Sequence, residues 1–97
     1  MILKRLDVVF SGVKFKSALK LNKVKRIALF GSYATGRFSR GSDLDFLVEF
    51  EENADLFDQV GLKQDLEKLL KKKVDVATPR SLSRYIRAQV LREAVYL

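Results

Sequence analysis

Apolar residues near the start of the chain recur at helical spacing. Leu3, Leu6, Phe10, Val13, Ser17 and Lys20 step by three and four, with Val9 and Ala18 beside them. This predicts one amphipathic helix over about residues 3–20. Ser11-Gly12 weakens its middle, since an interior glycine costs ~1 kcal/mol against alanine, and Asn22 supplies a stop signal. The pattern then shortens. The apolar run Ile27-Ala28-Leu29-Phe30 predicts a buried strand over about 24–30. Gly31 permits a tight turn, and Ser32 to Thr35 read as a short helical segment. Gly36 to Ser42 form a polar loop, and a second strand is expected over about 43–50. Asp55 is a candidate N-cap, with Asp58 three residues on, for a helix over about 56–70. Leu56, Val60, Leu66, Leu69 and Leu70 supply much of its apolar face, and Lys71-Lys72-Lys73 offset the dipole at its end. Val74–Ala77 is a third strand and Pro79 a break. Ser81 or Ser83 starts a last helix through about Val90, and residues 94–97 return as a short edge strand. The order predicts a small mixed β-sheet flanked by helices, an α/β or α+β fold.

Composition narrows the chemistry. At 97 residues and 47% hydrophobic content, residues 1–97 form one small folded domain. There is no cysteine and no histidine. Disulfides, thiolate and imidazole metal sites, and Ser-His or Cys-His catalysis are excluded. Any metal must be held by oxygen, which suits magnesium or manganese. No apolar run approaches the ~20 residues that cross a bilayer. The start, Met1-Ile2-Leu3-Lys4-Arg5, is broken at once by charge, unlike a signal peptide. A cytoplasmic protein without a membrane partner is expected. The net charge of +7 lies wholly in the first 26 residues, since the remainder is balanced. A solvated helix face accounts for it more simply than a nucleic-acid patch, because aromatic residues are not interleaved with the charges.

The costly residues lie between Phe30 and Asp75. Asp43 and Asp45 stand two apart in a second run that reads as a strand, so their carboxylates share a face. They repel each other and favour a cation between them. Gly31-Ser32 lies upstream, and Asp75 sits between Val74 and Val76 in a later strand. A Gly-Ser turn alone is a weak signal, and so is Asp-x-Asp; the combination at this spacing is much stronger. Tyr33, Tyr85 and Tyr96 read as packing residues with a wet hydroxyl.

Phe30-Gly31-Ser32, a ten-residue gap, Asp43-Leu44-Asp45 and Val74-Asp75-Val76 together resemble the nucleotidyltransferase superfamily whose type member is DNA polymerase beta. From about Val24 to Leu97 the chain is most similar to the minimal nucleotidyltransferases, the antitoxin halves of HEPN/MNT toxin–antitoxin pairs. Many members carry Ala-Arg-Gly after the Gly-Ser; this chain has Ala34-Thr35-Gly36, with an arginine at Arg37.

The resemblance implies a polymerase beta-like core. Asp43, Asp45 and Asp75 would be catalytic and would hold divalent metal, two Mg2+ ions or Mn2+. Gly31 and Ser32 would cradle the triphosphate of ATP or another nucleoside triphosphate. Ser42, Arg37 and Arg40 could add phosphate contacts. The implied activity is a protein adenylyltransferase that moves AMP from ATP to a tyrosine of a partner HEPN-type toxin, an RNase, and so silences it. Two alternatives stand beside it: a toxin-neutralising binding module with an idle nucleotide site, and a nucleotidyltransferase acting on RNA or a small molecule.

Overall fold

The expected first helix is two helices, α1 (Ile2–Phe10) and α2 (Val13–Leu21). The break falls at Ser11-Gly12. Ser11 turns its hydroxyl back to donate to the carbonyls of Asp7 and Val8, and Gly12 is extended at φ −80°, ψ 159°. The restart changes the buried face: Val13 is exposed and Phe15 is buried in its place. The Phe10 and Phe15 rings meet at 5.0 Å, so both helices dock on one core. The structure is a computed structural model that describes residues 2–39 and 41–97, with side-chain burial from Leu6 onward. Arg40, and the side chains of Leu3, Lys4 and Arg5, lie outside the described residues.

After α2 the order is β1 (Val24–Phe30), α3 (Ser32–Thr35), β2 (Leu44–Phe50), α4 (Leu56–Leu70), β3 (Val74–Ala77), α5 (Arg84–Glu93) and β4 (Val95–Tyr96). The strands form one mixed sheet in the order β3-β2-β1-β4. β1 runs antiparallel to β2 and to β4, whereas β2 and β3 are parallel, joined across α4. This is an α+β sheet flanked by helices, as the periodicities predict.

The two sheet faces differ. Ile27, Leu29, Leu44, Phe46, Val48 and Val74 point to one face, where they pack with Leu6, Phe10, Phe15, Leu62 and Leu66 of the helices. Phe46 is fully buried there, a burial worth roughly 1.5–3 kcal/mol. The other face holds a smaller cluster of Ala28, Leu47 and Leu82, backed by Phe30, Ala77, Val90 and Ala94. That cluster fills only part of the face. By strand alternation, Asp45 and Asp75 fall on this second face.

Helix α4 corrects another expectation. Leu62 and Leu66 are its buried residues, while Leu56 and Val60 are exposed. At about 100° per residue, Val60 lies nearly opposite the Leu62–Leu66 stripe. The capping box forms as expected: Asp55 accepts from Asp58 N–H at 3.2 Å and Asp58 accepts from Asp55 N–H at 2.9 Å. Ser83, not Ser81, caps α5, accepting from Tyr85 N–H at 3.2 Å. Ser81 closes a turn with Thr78. Among the described residues no helix is long and apolar enough to cross a membrane.

Candidate active site

The site begins with the strand register. Asp45 and Asp75 are direct partners across the parallel β2–β3 pair, and Phe30 is Asp45's partner across β1–β2. In-register partners share a face, so the two carboxylates stand side by side on the open part of the second face. Asp43 was expected on the same strand, but β2 starts at Leu44, whose N–H donates to Lys73 O at 3.0 Å. Asp43 therefore precedes the ladder and is carried by the loop. It still comes near enough for its charge to act on Asp45.

Asp45 is the hub. Its carboxyl is pushed above the ordinary aspartate range, first by burial, then by the negative charge of Asp75, then by that of Asp43. Among the described residues, no hydrogen bond or ion pair compensates any of the three carboxylates. Nor, among the described residues, does any group of three acidic side chains close into a ready-made cage for a metal ion. Two further carboxylates beside the half-buried Asp45, with no ion pair to any of the three among the described residues, give an oxygen-only donor set that suits a hard divalent cation.

Gly31 lies against this hub. Its backbone adopts φ 74°, ψ −152°, a conformation essentially confined to glycine. A Cβ at this position would overlap the carboxylate oxygen Oδ2 of Asp45. The resemblance implied that Gly31 leaves room for a phosphate; what the fold shows is that it leaves room for Asp45. Gly31 is the N-cap of α3, and its carbonyl accepts the N–H groups of Ala34 and Thr35. The Ser32 hydroxyl follows with no hydrogen-bond partner among the described residues.

The remaining expected residues divide. Ser42 Oγ accepts the Ser39 N–H at 2.8 Å, so its hydroxyl is engaged inside the loop. Arg37 is exposed, and its backbone N–H donates to Ser32 O at 2.9 Å. Tyr33, expected to keep a wet hydroxyl, is buried, and its hydroxyl has no partner in the described structure. Its ring stacks on Phe38 at 4.6 Å with 8° between the planes. Phe38 was not among the residues expected at the site. The signal was present: Phe38 is the one apolar side chain between Gly36 and Ser42.

The chain and its fold have counterparts among known proteins. The family model described as "Nucleotidyltransferase domain" matches residues 13–97. MJ0435 of Methanocaldococcus jannaschii, named as a protein adenylyltransferase, is 47% identical over 72 residues, 74% of this chain and 77% of that protein. Protein adenylyltransferase MntA of Thermococcus cleftensis is 43% identical over 74 residues, 76% of this chain and 75% of its own length. A solved structure described as a minimal nucleotidyltransferase superposes with a TM-score of 0.76 at 40% identity, covering 97% of this chain and 90% of that one. A Shewanella oneidensis complex of a tri-AMPylated HEPN toxin with its MNT antitoxin gives a TM-score of 0.61 at 29% identity, covering 86% of this chain and 65% of that one.

Proposed function

Because the chain belongs to the nucleotidyltransferase domain family, among its minimal members, we propose that it transfers AMP from ATP to a tyrosine hydroxyl of a partner HEPN ribonuclease and so neutralises it. The observation that carries this reading is the register of Asp45 with Asp75 beside a glycine turn whose missing side chain leaves room for the Asp45 carboxylate.

Transfer requires attack of a hydroxyl on the α-phosphorus and departure of pyrophosphate. Asp43, Asp45 and Asp75 are the groups that would hold two Mg2+ or Mn2+ ions. When bound, such ions stabilise the attacking and leaving oxygens. The backbone at Gly31-Ser32 lets the triphosphate approach closely, and Ser32 Oγ is left to donate to one of its oxygens. Asp75 is exposed on the edge strand β3, the side from which an acceptor can arrive, and takes the hydroxyl proton.

Mixing the protein with its cognate HEPN partner, ATP and Mg2+ tests this. The partner should gain mass in steps of one nucleoside monophosphate, measured on the intact protein. Asp43→Asn combined with Asp45→Asn should abolish the gain while far-UV circular dichroism stays unchanged. Full neutralisation of the toxin by that double variant would transfer the function to docking alone, and labelling of bulk RNA in place of the partner would make RNA the acceptor.

A further inference from the structure

We infer that Phe38 is a positioning residue for Asp43, clamping the loop that carries this carboxylate to the hydrophobic core through Tyr33. The inference rests on the reading of Asp43 as a cation ligand.

The three carboxylates are not held alike. Asp45 and Asp75 lie in a hydrogen-bonded ladder, in register. Asp43 lies one residue before that ladder, so the sheet does not fix it. Its place depends on how the preceding loop is tied down. That loop starts at Gly36, where α3 ends in a left-handed cap at φ 80°. Phe38 follows, half-buried and stacked on Tyr33. Tyr33 is only 3% exposed and belongs to the larger core cluster. Its hydroxyl has no partner in the described structure, so the ring is the part of this side chain that the fold uses.

The next contacts lead to Asp43. Ser39 N–H donates to Ser42 Oγ at 2.8 Å, and Ser42 N–H donates back to Ser39 O at 3.1 Å. These bonds tie the residue after Phe38 to the residue before Asp43. Core, ring stack, closed turn and carboxylate thus form one short mechanical chain.

The test is Mn2+ binding to the purified protein, read from the electron paramagnetic resonance of free Mn2+ with AMP-PNP present, so that no turnover is needed. Phe38→Ala should weaken Mn2+ binding about tenfold, the low end for loss of a group that orients a ligand. Phe38→Tyr, which keeps the ring, should retain it. Asp43→Asn should weaken binding as well, and adding Phe38→Ala to it should cost little more, because both act through one carboxylate. A structural effect that bypasses Asp43 would instead be additive, and additivity overturns the inference. So does wild-type affinity in Phe38→Ala while Asp43→Asn is impaired, which leaves the site reading intact. Wild-type affinity in Asp43→Asn overturns both. Should Phe38→Ala not fold, Phe38→Leu, which keeps apolar contact without the stack, takes its place in the same comparison.

Discussion

At the scale of single residues, the site turns on the closeness of Asp45 to glycine on one side and to like charge on the other. Gly31→Ala meets two obstacles: a backbone conformation that L-residues avoid and a carboxylate where the methyl group would go. It should cost roughly 1–3 kcal/mol of stability by urea denaturation, and it should lower activity through displacement of Asp45. Asp45→Asn should act in the opposite direction on stability. A carboxyl raised by burial and by two neighbouring charges binds its proton more tightly folded than unfolded. The ionised form therefore opposes folding at neutral pH. That opposition fades as pH falls through the raised value and is gone below the ordinary aspartate pKa of about 3.9. Metal-free Asp45→Asn should melt higher than the parent at pH 7, with the gap closing toward about pH 4. A gap that widened on acidification would show that the carboxylate is favoured by a countercharge. That Asp45 and Asp75 lie in strands was legible from the apolar residues around them. The parity that put Asp43 in the same strand as Asp45 stops short of it, since β2 starts at Leu44. The overlap of a Gly31 Cβ with Asp45 was not legible, because it depends on how β1 and β2 pair.

At the scale of elements, stability is unevenly spread. Helix α4 buries Leu62 and Leu66 and is capped at Asp55, whereas α5 has no buried residue and leaves Tyr85, Ile86 and Leu91 exposed. Amide hydrogens of α5 should exchange faster than those of α4, measured by mass spectrometry under native conditions. Equal protection would mean that α5 opens only with the whole fold. The order of elements was readable from period and punctuation, and so were the third strand, the capping box and the return of residues 95–96 to the sheet edge. Three details were not. A continuous stripe cannot reveal that Ser11 will bend its hydroxyl onto the preceding turn and end a helix. Nor does apolar content show that α4 presents Leu62 and not Val60, since both are hydrophobic and only the docked sheet chooses between them. Asp43 looked like a strand residue because alternation continues past the last ladder bond.

At the scale of the molecule, the sheet divides its labour. One face carries nearly all the packing and the other carries a small apolar cluster and the carboxylates. Charge removal on the second face therefore leaves the main core untouched, and inactive variants should remain well folded. The parallel pairing of β2 with β3 also has a consequence for how the chain folds. Asp45 and Asp75 meet only after α4 has crossed between their strands. Closing that loop costs entropy before any ladder bond repays it. Helix turns and the antiparallel β1–β2 pair have no such crossover to wait for. Val76→Ala, in β3, should thus speed unfolding while barely slowing refolding, giving a φ-value near zero in a denaturant chevron. A value near one would place the β2–β3 closure in the folding nucleus. On the expected outcome, the newly made chain passes most of its folding time with its two partner aspartates apart, and the pair proposed to gather a cation is assembled only in the last step to the native state.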